Sequence, residues 1–153
     1  MEQEYLSDND IAAITATDDH TACFNIKGLF LGKCVKIVDG DTIHLVMKFG
    51  GNLQRFTCRL YGYNAAEIHS EDPRELEVAV GAKTYLSNLI YNKLIIVEAL
   101  GFEKYGRLLA NIYLSDDFEK THMLTTAGAK CIKNIMIESG FGKEYFGKGE
   151  KKW

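Results

Sequence analysis

Period-two alternation, broken at short intervals by turn residues, constrains this chain more than any other feature. KCVKIV (33–38), TIHLVMKF (42–49) and QRFTCRLYGY (54–63) are rich in β-branched and aromatic residues, the composition of half-buried strands. Asp39-Gly40 and Gly50-Gly51-Asn52 separate them, and such pairs favour tight hairpins because both central positions tolerate positive φ. From Gly32 onward the pattern predicts three antiparallel strands in a meander.

Asp72-Pro73-Arg74-Glu75 then supplies an N-cap, a proline at the first helical position and an acid in the first turn, all of which favour a helix start. Val78, Ala82, Leu86 and Leu89 follow at helical spacing with Tyr85 beside them, which predicts a helix from 73 to about 91 packed by one face. KLIIVEAL (93–100) and RLLANIYL (107–114) read as two more strands joined by a polar loop, Gly101 to Gly106. A last helix is expected from about Thr121 to Ser139, burying Leu124, Cys131, Ile132, Ile135 and Met136, with Gly140 as its C-cap glycine. The order β-β-β-α-β-β-α predicts an α+β chain built on a five-stranded OB-type barrel, a frame that often binds oligonucleotides. Fold alone does not give function.

The size, 153 residues with 46% hydrophobic residues and one proline, suits one compact domain with its own core. The net charge of −3 is unevenly spread. Residues 1–27 hold Glu2, Glu4, Asp8, Asp10, Asp18 and Asp19 against Lys27 alone, which leaves 17 of the 18 bases and 15 of the 21 acids to residues 28–153. Residues 1–27 therefore read as an acidic extension, mobile in its first part, and 28–153 as a mildly basic barrel domain. No apolar run approaches the roughly 18 residues of a membrane span, and the N-terminus is acidic where a signal peptide is basic. An intracellular protein is expected. Cys23, Cys34, Cys58 and Cys131 form no C-x-x-C pair, so neither a zinc site nor a redox motif is suggested; Cys34 and Cys58 read as small buried hydrophobes.

Several polar residues sit where the strand pattern does not want them. Asp41 begins a strand, where carboxylates are disfavoured, and needs water, a base or a metal. Arg59 lies in CRLYGY among apolar neighbours, and on the inner face of a small barrel it must be paired or aimed at an anion. Asn64 and Glu67 follow in a loop and Arg107 opens the fifth strand in FEKYGR. Taken singly these read as solvated residues, as do His44 and His69, so the argument for a site rests on the set.

That set resembles the thermonuclease (staphylococcal nuclease-like) family: DGDT, then FTCRLYGYNAAE, then KYGRLLANIY, in the family's order and spacing and with a helix between the second and third motifs. The resemblance covers about residues 30–146. It implies a catalytic Ca²⁺, with Mg²⁺ or Mn²⁺ as substitutes, held by Asp41, Asn64 and the backbone of Ala65, with Asp39 as outer neighbour. It implies Glu67 as the residue that positions or deprotonates water, and Arg59 and Arg107 as phosphate clamps. Lys104 and Tyr105 fall where family members contact a neighbouring phosphate, and Tyr145 near a base-stacking position. The implied activity is hydrolysis of DNA and RNA with little sugar preference, favouring single-stranded or frayed segments and leaving 3′-phosphate ends. Physically, such hydrolysis needs a hard cation and guanidinium groups to neutralise charge on the non-bridging oxygens, and a base for water.

The chain departs from the family at Asn64-Ala65-Ala66, where the pattern has an aspartate followed by Thr-Pro. One negative charge is lost, and affinity for Ca²⁺ falls with charge count. A weakened or inactive nuclease-like module that binds nucleic acid or a protein partner is therefore the second reading. A third, a plain barrel in which Arg59 pairs permanently with Asp41 or Glu67, is also open. Tyr145-Phe146-Gly147-Lys148-Gly149 reads as a basic, aromatic tail near the groove. Oligomeric state is left open.

Overall fold

The computed structural model describes residues 5, 7–20 and 24–147; Cys23 and the Lys148-Gly149 end of the expected basic tail lie outside them. A short helix, α1 (Asp8–Ala12), and two 3-10 turns precede the barrel. Then come β1 (Lys27–Asp39), β2 (Thr42–Phe49), β3 (Asn52–Leu60), β4 (Gly62–Asn64), α2 (Pro73–Ile90), β5 (Leu94–Phe102), β6 (Leu108–Leu114), α3 (Phe118–Thr121), β7 (Lys130–Cys131), α4 (Ile132–Glu138) and β8 (Lys143–Tyr145).

The sheet runs β3-β2-β1-β5-β6-β7, and a parallel pairing of β3 with β6 closes its first five strands into a barrel. The expected OB-type α+β fold is therefore what forms. Closure depends on β1, which pairs with β5 through Lys27–Lys33 and with β2 through Gly32–Asp39, with irregularities in its register on β2 after Cys34 and after Ile37. Such bulges bend a strand enough for it to serve two neighbours. The strand starts earlier than Gly32, because GLFLG has no alternation to read yet its backbone finds a ladder on β5. Ahead of it Ile26 is buried, and Phe24 lies against Phe49 and Phe102 with ring centroids 5.9 and 5.7 Å apart.

Inside the barrel, Ile37, Ile43, Leu45, Met47, Leu60, Val97 and Leu108 are buried together with Cys34 and Cys58. Burial pushes the Cys34 thiol up to about 11 and that of Cys58 up to about 12, which marks both as packing residues. Helix α2 starts as expected: Asp72 accepts a hydrogen bond from Arg74 N at 3.0 Å, with Pro73 in the first turn. Its buried face is Ala79, Ala82, Leu86 and Ile90, while Val78, Tyr85 and Leu89 are half-buried. The small residues let the helix approach the β1–β2 hairpin closely. A Cβ on Gly40 would lie 2.7 Å from the Ala65 methyl and 2.8 Å from the Ala82 methyl. Gly40 does not have positive φ, so space rather than backbone freedom requires glycine there, contrary to the hairpin rule applied to Asp39-Gly40.

Two expected elements are corrected. QRFTCRLYGY is not one strand: Gly62 has φ +93, and the chain turns there so that Gly62–Asn64 pairs with β8. The helix expected from Thr121 to Ser139 is only Ile132–Glu138. Residues 122–129 are irregular, Leu124 is 37% exposed, and Cys131 is half-buried and pairs in β7 with Tyr113 of β6. Thr125 and Thr126 are poor helix formers and Gly128 follows them. Ile132 and Met136 are buried as expected, and Gly140, with φ +84, donates to Ile137 O at 3.1 Å. Among the described residues no helix is long and apolar enough to cross a membrane.

Candidate functional site

The site is built where the β1–β2 hairpin, the end of β3 and the start of β6 meet. Thr42 is paired with Arg59 across β2 and β3, and Arg59 is paired with Leu109 across the parallel β3–β6 contact. The closing pair of the barrel therefore brings the hairpin acids, Arg59 and Arg107 into one region.

Asp41 is 9% exposed, and each oxygen of its carboxylate accepts one hydrogen bond. Oδ1 accepts from Thr42 Oγ1 at 3.0 Å, and Oδ2 accepts from the backbone N–H of Ala65 at 2.9 Å. Ala65 thus contributes its N–H to the hairpin acid. Asp39 Oδ1 accepts from Asp41 N at 3.2 Å, a side-chain turn that fixes the hairpin tip. Burial raises the Asp39 carboxyl to about 7, assisted by side-chain hydrogen bonding to Asp41 and by its charge, and to a lesser degree by the charge of Glu67. Behind the hairpin, the Tyr63 hydroxyl donates to Gly40 O at 2.7 Å.

Arg59 is 9% exposed and carries its charge inside the barrel wall. Nη1 donates to Leu60 O at 2.7 Å, Nη2 donates to Asn64 Oδ1 at 2.5 Å, and Nη2 stands 3.5 Å from Asp41 Oδ2. The requirement that a buried arginine be paired is met by a carbonyl, an amide and a carboxylate. Asn64, 7% exposed, presents to Arg59 the very oxygen that would otherwise be its cation ligand.

Glu67 is exposed just beyond. Its backbone N–H donates to Glu75 Oε1 at 3.2 Å, while Ser70 Oγ donates to Glu75 Oε2 at 2.7 Å. Glu75, read from sequence only as a favourable helix-start acid, therefore ties the Glu67 loop to α2. Among the described residues no group of three or more His, Cys, Asp or Glu is arranged to hold a metal. Asp39 and Asp41 supply carboxylate oxygens whose chemistry suits a hard cation, the Asn64 oxygen joins them only on leaving Arg59, and the burial and the Asp41 charge that raise Asp39 are penalties that a divalent cation would offset. His69 is exposed and His44 half-buried, neither of them beside these acids in the ladder.

A cleft of about 340 Å³ opens at Arg59, lined by Arg59, Tyr61, Glu103, Lys104, Tyr105, Arg107, Tyr145 and Phe146 among others. Arg107 is part-exposed and holds Glu103 through Nε to Oε1 at 2.5 Å and Nη2 to Oε2 at 3.1 Å. That pairing raises the Arg107 guanidinium, and the charges of Asp41 and Asp39 add to the rise. Lys104 Nζ lies 5.0 Å from the Tyr105 ring centre, and the Tyr61 and Phe146 rings meet at a tilt with centroids 5.5 Å apart. Lys104, Tyr105 and Tyr145 thus share one cavity with both arginines. Asp41 and Asn64 reach Arg59, at the wall of this cleft, from the hairpin and from β4. Sequence reasoning missed Glu103 and Tyr61 as cleft residues, whereas Phe146 lies in the cleft wall as the aromatic tail near the groove implied. The four-residue separation of Glu103 and Arg107 across a glycine turn was the available signal.

Comparison with known families matches residues 57–152 to the staphylococcal nuclease homologue model. The match includes Arg59, Asn64, Glu67, Lys104 to Arg107 and Tyr145, and begins after the Asp39–Asp41 hairpin. Among curated proteins, an uncharacterized protein of Methanocaldococcus jannaschii, MJ1439, is 29% identical over 119 residues, covering 65% of this chain and 56% of the relative. The chain thus spans little more than half the length of that relative.

Proposed function

Because the chain belongs to the staphylococcal nuclease homologue family, we propose that it is a metal-dependent nuclease acting on the phosphodiester bonds of DNA and RNA, single-stranded or frayed segments above all. The observation that carries this reading is the convergence of two guanidinium groups, Arg59 and Arg107, on one cleft with the Asp41 carboxylate 3.5 Å from Arg59. Guanidinium groups keep their proton and bind two oxygens of one phosphate at once, so the pair suits the non-bridging oxygens of a backbone phosphate. Lys104 would take a neighbouring phosphate, and Tyr145, with Tyr105, would offer ring faces to bases.

Asp39, Asp41 and Asn64 are the residues that would hold Ca²⁺, with Mg²⁺ or Mn²⁺ as substitutes. The ion would supply Lewis-acid neutralisation of charge on the phosphate. Glu67 accepts the proton of the attacking water, the phosphorus bond to O5′ breaks, and that oxygen takes its proton from solvent. The products are a 3′-phosphate and a 5′-hydroxyl. The buried arginine, held at three points, is oriented before substrate arrives and needs little reorganisation as charge develops.

The test is cleavage of labelled single-stranded DNA and RNA with each cation and with chelator. Glu67→Gln and Arg107→Ala should lower turnover by about a hundredfold or more while leaving the circular dichroism spectrum intact. Unchanged rates in both variants overturn the assignment.

A second reading, a nuclease-like module that binds nucleic acid or a protein without cutting, is favoured by the Arg59–Asn64–Asp41 network, which occupies the amide oxygen of Asn64 and satisfies Arg59 internally. It expects no cutting by the wild-type chain with any cation, and recovery of cutting in Asn64→Asp.

A further inference from the structure

Glu103 has no part in the reaction just described, yet it lines the same cleft and grips Arg107 through two hydrogen bonds. The two residues flank a closed turn between β5 and β6: Glu103 N donates to Arg107 O at 2.9 Å, and Gly106 N donates to Glu103 O at 2.9 Å. Backbone and side chains thus fix the same pair twice.

A guanidinium offers an anion two edges that carry parallel N–H groups. One is the side edge of Nε with Nη2, the other the end edge of Nη1 with Nη2. Glu103 fills the side edge of Arg107. The groups left for a ligand are on Nη1, with the second N–H of Nη2.

We propose that Glu103 is a positioning residue, which reserves the side edge of Arg107 so that a nucleic-acid phosphate in the cleft meets only its end edge, in one orientation. The inference rests on the nuclease reading of the site. It has a consequence of opposite sign in binding and in turnover. The Glu103 carboxylate repels phosphate, so removing it strengthens oligonucleotide binding. Removing it also lets the Arg107 side chain swing among its rotamers, so the phosphate is less often aligned and turnover falls. A residue that merely supported the fold would weaken both together.

The experiment compares the full chain with Glu103→Ala, Glu103→Gln, Arg107→Ala and the double Glu103→Ala/Arg107→Ala. Binding of a short oligothymidylate is read by fluorescence anisotropy in chelator, cleavage by single-turnover kinetics with the supporting cation. Glu103→Ala should slow cleavage by on the order of tenfold to a hundredfold with affinity raised, and a lowered affinity would mark a merely structural role. Glu103→Gln, which keeps one acceptor oxygen for Nε, should recover part of the rate. The double variant should be no slower than Arg107→Ala alone.

In parallel, the Nε–H signal of Arg107 in ¹⁵N-labelled protein should stay protected when the oligonucleotide binds and lose protection in Glu103→Ala. A signal displaced from Glu103 by the bound oligonucleotide, or rate losses that multiply in the double variant, would overturn the inference. So would a Glu103→Ala protein that cuts as fast as wild type. Each of these leaves the nuclease reading standing. A wild-type chain that neither binds nor cuts refutes the nuclease reading and the inference together.

Discussion

Substituting Gly40 by alanine adds one methyl group at the point where the hairpin, the Ala65 loop and α2 meet. The new Cβ would lie 2.7 Å from the Ala65 methyl and 2.8 Å from the Ala82 methyl, where ordinary contact between two carbons is about 3.5–4.0 Å. Neither neighbour has a side-chain torsion with which to retreat, so the backbone of the hairpin, of α2 or of the loop must move by about 1 Å. Overpacking of this kind costs about 1–3 kcal/mol. For a chain of this size that is a fall in Tm of roughly 2–12 °C, read by urea and thermal unfolding in chelator. Because Gly40 lacks positive φ, no backbone strain contributes, and the loss should be relieved by making room. Adding Ala82→Gly to Gly40→Ala should therefore be less damaging than the sum of the two single changes, with a coupling of about 0.5–3 kcal/mol, even though glycine in a helix itself costs roughly 1 kcal/mol. The shift should also loosen the bond from Ala65 N to Asp41 Oδ2 and weaken any cation bound at the hairpin. Strict additivity, or a Gly40→Ala protein within about 0.5 kcal/mol of wild type, would refute the close-packing argument.

Other outcomes follow from the same geometry. The Asp39 carboxyl stands at about 7 in the folded chain, above its ordinary value of 3.8, so the folded state holds the extra proton between those values. This group's contribution to stability accordingly declines as pH rises from about 4 to about 7; denaturation across that range in chelator checks it, and Asp39→Asn should flatten the slope. Cys34 and Cys58, buried with thiols raised to about 11 and about 12, should resist alkylation in the native protein while half-buried Cys131 reacts. Mass mapping of the labelled sites reads this, and labelling of Cys58 ahead of Cys131 would contradict it. Asp72→Ala removes the cap on Arg74 N and should destabilise the chain by about 1 kcal/mol, measured as a lowered urea midpoint.

Local chemistry made much of the fold legible. Alternation and turn residues mark β2 and β3, and Asp72-Pro73 marks the start of α2, because these signals act within a few residues of one another. Where local signals were weak, the reading failed. The start of β1 has no alternation, and its backbone is satisfied by β5, far along the chain. The expected long final helix gave way to an irregular segment with a short strand on β6, an outcome decided by what β6 leaves unpaired.

The candidate site divides in the same way. The sequence by itself determined which groups are available: two acids flanking a glycine, an arginine in an apolar strand, an asparagine three residues before a glutamate, and a second arginine after a glycine turn. Only the tertiary structure decided what each of them meets. The parallel contact of β3 with β6 brings Arg59 and Arg107 to one cleft, and the Asn64 oxygen turns to Arg59. Glu103 occupies half of the Arg107 fork, and Gly40 is glycine because Ala65 and Ala82 crowd it. A side chain's chemistry is fixed by its atoms, but its partners are fixed by how distant strands close the barrel, and no local pattern encodes that distance.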